Sequence, residues 1–196
     1  MAKFFGNLNA VLGAGVVLLI ILMFALHGNV MDAIYWNVWF RFVHVLCGIM
    51  WIGLLYYFNF VQTPTMPSIP AELKPGVTKY IAPRALFWFR WGALATVLTG
   101  ATVAGMPGPN GPYLVEALTF HAGSRVIGTG MWLALIMAFN VWFLIWPAQK
   151  KVLGLVEADA DAKAKAATTG LVFSRINVLL SIPMLYCMVT QFYLPR

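Results

Sequence analysis

The sequence predicts an all-α integral membrane protein, built as a bundle of about five transmembrane helices. Composition gives two reasons: 61% of the 196 residues are hydrophobic and only 10% are charged, whereas a typical soluble domain is about a quarter charged. The third reason is that five apolar runs each reach the length of about 20 residues that crosses a bilayer as a helix. The net charge of +7 does not indicate nucleic acid, because the basic residues lie mostly in connections and helix ends, where they meet membrane lipid.

The five predicted spans lie in one membrane domain, residues 1–196, and cover residues 8–27, 36–60, 85–106, 125–147 and 171–193. Helices are expected because nothing in the sequence alternates like a barrel strand and lipid offers backbone groups no hydrogen-bond partner. The connection 61–84 is rich in proline and predicts a loop with about one helical turn. The connection 106–124 predicts turns and a short helix. Residues 148–170 predict an extension of the fourth helix and then a solvated, charged segment.

Basic residues are distributed unequally among the connections, and this sets the predicted orientation. The first and third connections carry almost no Lys or Arg. The N-terminus, the second connection and the fourth connection carry Lys3, Lys74, Lys79, Arg84, Lys150, Lys151, Lys163 and Lys165. Cytoplasmic loops hold the excess of Lys and Arg, so the N-terminus is predicted inside and the C-terminus outside. We therefore predict a multi-pass protein of the bacterial inner (cytoplasmic) membrane.

The segment WFRFVHVLCGIMWIG, residues 39–53, places two polar side chains, Arg41 and His44, on one face of an apolar helix. Polar groups in hydrocarbon are costly and are often kept for function. One interpretation is a haem b site near the outer surface. His44 is then an axial ligand, His121 or His27 is the second ligand, and Arg41 and Arg125 pair with the propionates.

Two other interpretations of the same residues stay open. In the first, His44 only hydrogen-bonds to a neighbouring helix and Arg41 extends to the lipid headgroups. In the second, His44 and His121 are metal ligands of a copper site, together with Cys47 or a methionine.

A second polar group lies in the inner halves of the spans and contains Arg90, Asn140 and Arg175. No carboxylate partner lies on the inner side of these spans, so one interpretation is a substrate site for a planar anion or a lipid phosphate. The alternative is that the arginines simply extend to the membrane surface.

Three stretches of the sequence resemble the urate oxidase N-terminal domain family: FVHVLCGIMWIGLLYYFNFVQTP, APRALFWFRWGA and MAFNVWFLIWPAQKKVLG. The shorter pattern HVxxGxxWIG, residues 44–53, is also similar to helices of copper-resistance D-type and HemJ-type membrane proteins. The first resemblance implies a membrane oxidoreductase that oxidises urate and passes electrons to haem c. The chain contains no CxxCH motif, so a separate c-type cytochrome is implied as the electron acceptor.

The function predicted from these features is a membrane redox module, in which an anionic reductant binds near Arg90 and Asn140 and a haem near His44 passes electrons outward. One alternative is a copper-handling membrane protein. Another is a non-catalytic accessory subunit that packs beside a larger membrane complex. The expected partners are membrane lipid, the cytochrome or that complex, and further copies of the chain in a homo-oligomer. Nucleic acid is not expected.

Overall fold

The computed structural model describes residues 1–109 and 111–194, and within these residues the regular structure is all helical. All five of its long helices are long and apolar enough to cross a membrane. They are α1 Leu8–His27, α2 Ala33–Ser68, α3 Lys74–Gly105, α4 Arg125–Val152 and α5 Ala160–Thr190. Short helices at Ala2–Phe5 and Leu114–Leu118 complete the described elements. The predicted all-α class and the existence of five span-length helices are confirmed.

Four of the long helices form a closed ring around one apolar core. The contact between α2 and α3 is the most extensive, α4 packs on α3, and α5 closes the ring against α4 and α2. Large side chains from all four helices fill the centre, including Trp51, Phe89, Met137 and Met184. Many large apolar side chains point outward instead, an arrangement that suits contact with lipid.

Helix α1 differs from the other four. None of its residues is buried, and its only extensive helix contact within the described residues is with the short helix Ala2–Phe5. The expected bundle of about five helices is therefore a packed bundle of four, with α1 beside it. Nonspecific hydrophobicity cannot fix a helix in a bundle when the surrounding lipid is equally apolar. Buried polar contacts, which join the other four helices, are absent from the described residues of α1.

Side-chain contacts identify which helix ends lie together. At one end, the start of α2 meets the end of α3, and the start of α4 meets the residues after α5. His27, His44 and His121 lie toward this end, which we call the histidine end. The opposite end holds the connections 69–73 and 153–159 together with most of the lysines, and we call it the lysine end.

The structure corrects the prediction for the connection 61–84 and for the start of α5, and it confirms that the fourth helix extends past residue 147, to Val152. Residues 61–84 were expected to form a loop with about one turn, but only residues 69–73 are non-helical there. Pro75 lies in the first turn of α3, where no backbone donor is needed. Pro64, Pro67 and Pro83 lie where the helix changes between π, α and 3-10 spacing, and such local changes accommodate a missing backbone donor. Residues 160–170 are the first part of α5, and the carboxylate of Asp159 caps that helix by accepting from the Ala162 N–H at 2.7 Å.

Three of the long helices contain π-helical turns, at Tyr57–Gln62 in α2, Val77–Ile81 in α3 and Asn140–Ile145 in α4. Where the spacing changes from α to π, a backbone carbonyl can lose its usual N–H partner inside the helix. In α2 and α4, buried asparagine side chains donate hydrogen bonds to carbonyls next to these turns. Asn59 donates to the Leu55 carbonyl at 2.9 Å, and Asn177 of α5 donates to the Met137 carbonyl at 3.0 Å. Asparagine in an apolar span is thus used here to stabilise the backbone where its spacing changes.

Candidate functional site at the histidine end

His44 lies on α2 and faces α3, and its hydrogen bonds fix the position of its ring proton. Its Nδ1 atom is 2.9 Å from the backbone oxygen of Thr96 and 3.2 Å from Oγ1 of Thr99. A carbonyl oxygen can only accept, so Nδ1 carries the proton and donates. The Thr99 hydroxyl gives its own proton to the Ala95 carbonyl at 2.6 Å and therefore also accepts from His44. In the neutral ring, Nε2 is left with a free lone pair.

Close contact with α3 holds this ring in place. A Cβ atom added at Gly100 would lie 2.8 Å from Cε1 and 3.1 Å from Nδ1 of His44, so only glycine leaves room for the imidazole. His44 itself is half-buried. The ring is therefore held by a backbone acceptor, a hydroxyl and a glycine of one neighbouring helix.

Arg41 lies one turn before His44 and joins three parts of the histidine end. Its guanidinium carbon lies 5.6 Å from the ring centre of Phe192, and its charge lies near the Tyr113 hydroxyl. Tyr113 and Phe192 pack edge to face at 5.6 Å. Burial raises the pKa of the Tyr113 hydroxyl, and the nearby Arg41 charge opposes part of that rise. Arg41 is thus a half-buried cation on the same helix face as His44.

A buried amide lies one turn from Arg41, toward the start of α2. Asn37 is 1% exposed and donates through Nδ2 to the Val103 carbonyl at 2.8 Å. Gly108 packs directly against this amide, since a Cβ atom there would lie 2.7 Å from the Asn37 side chain. The contact ties the start of α2 to the end of α3 and positions Arg41 and His44 relative to α3.

The other predicted cofactor residues lie apart from His44. His27 is exposed at the end of α1, with its ring 5.8 Å from that of Tyr35. His121 is exposed in the connection before α4, and Arg125 is exposed with Nε 3.4 Å from the Phe120 carbonyl. Among the described residues, the hydrogen bonds of His44 reach only α3. The structure brings Arg41 and His44 together and leaves these three in separate surroundings.

The three predicted substrate residues occupy different surroundings in the structure. The Arg90 guanidinium stacks over the Trp146 indole at 3.9 Å from its centre, with Lys150 on the same ring at 6.0 Å. Asn140 is buried and donates to Oδ1 of Asn177 at 2.8 Å. Arg175 is exposed in a groove between α2 and α5. The contacts of the described residues do not join these three into one site.

Within residues 1–109 and 111–194, no group of three or more His, Cys, Asp or Glu side chains is arranged to hold a metal ion. The candidate site is therefore one histidine with a nearby arginine. Sequence analysis missed the residues that hold them, Thr96, Thr99, Gly100 and Tyr113. The stretch TVLTG, which repeats small and polar residues at helical spacing, was the available signal for the first three.

Comparison with known protein families finds a match in the C-terminal part of the chain. Residues 113–195 match the family described as urate oxidase N-terminal. Of the three stretches that resemble this family, MAFNVWFLIWPAQKKVLG lies inside the matched part. Neither the comparison with curated proteins nor the comparison with solved structures gives a match. The C-terminal part of this chain, from Tyr113 through α4 and α5, thus matches the urate oxidase N-terminal family, as the sequence predicted.

Proposed function

We propose that the protein is a membrane redox module of the urate oxidase N-terminal type, in which Nε2 of His44 binds a haem b group. The observation that carries this proposal is the hydrogen bond from Nδ1 of His44 to the Thr96 carbonyl. Histidines that bind metal through one ring nitrogen usually donate the other N–H to a carbonyl or carboxylate, which fixes the tautomer and the ring orientation. His44 has this arrangement.

The residues around His44 fit a haem held by one protein ligand. Arg41 is on the same face of α2, has no carboxylate in contact among its described neighbours, and suits a charge-assisted pair with a propionate. His121 and His27 have no described contact with His44, so the proposal includes no second histidine ligand. When bound, the haem iron would supply one-electron redox chemistry. The chain's own part is to fix the ligand tautomer, hold the propionate and limit access of water.

The orientation belongs to the same proposal. The connections at the lysine end carry Lys and Arg, whereas those at the histidine end carry almost none, so we place the lysine end in the cytoplasm. The site at His44 then lies near the outer surface of the membrane. That position suits a separate, soluble c-type cytochrome as the electron acceptor.

The test is the absorption spectrum of the purified full chain after incubation with haem. The wild type should develop a Soret band and reduced α and β bands, and His44→Gln should remain folded but colourless. His121→Gln is the control and should keep the wild-type spectrum, because His121 is exposed and has no described contact with His44. An unchanged spectrum in His44→Gln would defeat the proposed site. A colourless wild type would defeat the redox proposal as a whole and favour the accessory subunit.

A further inference from the structure

We propose that the groove between α2 and α5 binds an anionic phospholipid, with the lipid phosphate on Arg175 and an acyl chain along α5. The groove has a volume of about 620 Å³. It is lined by Thr63, Pro64, Leu171, Val172, Arg175, Ile176 and Leu179. This site is separate from His44 and does not depend on a bound haem.

The walls of the groove suit an acyl chain. Val172, Ile176 and Leu179 are spaced by four and three residues and share one side of α5, so the groove runs parallel to that helix. These side chains offer no hydrogen-bond donor or acceptor, and an acyl chain needs none. If α5 spans the membrane, the groove lies beside the lipid tails, and an acyl chain of the adjacent leaflet can enter it.

Arg175 supplies the charge that selects the headgroup. Arg175 lies four residues after Leu171, a distance of about 6 Å along α5 at a rise of 1.5 Å per residue. No acidic side chain lines the groove, so the guanidinium charge is not neutralised by any lining residue. A phosphate oxygen pair matches the planar donor fork of arginine, and Thr63 adds a hydroxyl on the opposite wall.

The surrounding charge favours the same occupant. The lysine end is positively charged overall, because residues 69–84 and 148–165 carry seven Lys and Arg residues against four Asp and Glu residues. Basic pockets between membrane helices on the cytoplasmic side are known to hold anionic headgroups. A neutral headgroup gains less from this field, so we expect phosphatidylglycerol to bind better than phosphatidylcholine with the same acyl chains.

Native mass spectrometry of the full chain in detergent, with either lipid added, tests the proposal. The wild type should retain phosphatidylglycerol about fivefold better than phosphatidylcholine, the factor expected for one basic residue near the membrane surface. Arg175→Gln should lose this preference, whereas Arg175→Lys should keep part of it. Ile176→Trp, which fills the groove, should weaken retention of both lipids. Arg125→Gln is the control, since it removes an exposed positive charge at the histidine end, away from the groove, and should preserve the preference.

Inorganic phosphate separates a lipid site from a simple anion site. Millimolar phosphate should leave the retained phosphatidylglycerol in place, because the acyl chain contributes to binding. Displacement by phosphate would overturn the lipid assignment. Equal retention of the two lipids by the wild type, or an unchanged preference in folded Arg175→Gln, would overturn the proposal as well.

Discussion

Replacing Asn177 with alanine is expected to destabilise the bundle strongly, because this side chain joins α4 and α5 at the π-helical turn. Asn177 is 0% exposed, donates to the Met137 carbonyl at 3.0 Å and accepts from Asn140 at 2.8 Å. Asn140 is also buried, at 5% exposed. The alanine variant loses both hydrogen bonds and leaves the Asn140 amide without its acceptor.

The size of the effect follows from these contacts. Hydrogen bonds between membrane helices are worth about 0.6 kcal/mol each on average, so the two bonds contribute about 1 kcal/mol. A buried donor left without a partner costs about 1–3 kcal/mol more. The Met137 carbonyl still accepts from the backbone N–H of Asn140, so it adds no further penalty. We expect the free energy of unfolding to fall by about 2–4 kcal/mol.

A double-mutant cycle measures this coupling. Unfolding in mixed detergent is followed by circular dichroism for the wild type, Asn177→Ala, Asn140→Leu, Asn177→Leu and the double leucine variant. Leucine is close to asparagine in size and shape, and removing both partners leaves no unpaired amide, so the double variant should be more stable than either single variant. Additive effects, or a wild-type stability for Asn177→Ala, would refute the role assigned to this pair.

Three further predictions concern other parts of the structure. Burial raises the pKa of Tyr113, so ionisation of its hydroxyl favours the unfolded state. The free energy of unfolding should therefore fall as the pH rises above about 10. Tyr113→Phe should reduce that fall, which thermal unfolding measured from pH 8 to 11 would show. Gly100→Ala should place its Cβ atom against the His44 ring and cost about 1–3 kcal/mol in unfolding free energy, whereas Gly53→Ala, with open space around the added atom, should be tolerated. Ala160→Cys should resist a membrane-impermeant thiol reagent in intact cells, since the lysine end is proposed to face the cytoplasm; labelling from outside would reverse the orientation.

The sequence was sufficient to predict which parts of this chain are long apolar helices. Each predicted span lies within, or largely overlaps, one of the five helices, because a run of about 20 apolar residues has few other stable structures in lipid. The ends were predicted less well. Residues 61–68, 74–84 and 160–170 are helical although they are polar or proline-rich, and hydropathy alone does not detect such solvated extensions.

The packing of the helices depended on contacts that the sequence does not reveal. All five spans are apolar enough to cross a membrane and α1 is the most apolar of them, yet α1 is the helix that remains outside the bundle. Single polar residues decide the arrangement: Asn59 meets Ser174 at 2.7 Å, and Tyr56 meets Ser181 at 3.0 Å. Such partners are more than a hundred positions apart in the chain, so no local pattern pairs them.

The candidate site was only partly predictable, because some of its contacts also join residues that are far apart in the chain. The spacing of Arg41 and His44 placed them on one helix face, and the structure keeps them there. Tyr113, whose hydroxyl lies near the Arg41 charge, comes after a turn-rich segment whose path no periodicity predicts. Asn140 was expected to meet a ligand, but its amide pairs with Asn177, a contact that depends on the packing of α4 against α5.

The haem content of the purified wild-type chain tests the central claim most directly. The protein is reconstituted with excess haem b, separated from free haem by gel filtration, and analysed by the pyridine haemochrome method against protein concentration. Because each chain holds one histidine arranged like His44, with Nδ1 bonded to a backbone carbonyl, we predict close to one haem per chain. A wild-type protein that elutes folded and free of haem would contradict the account.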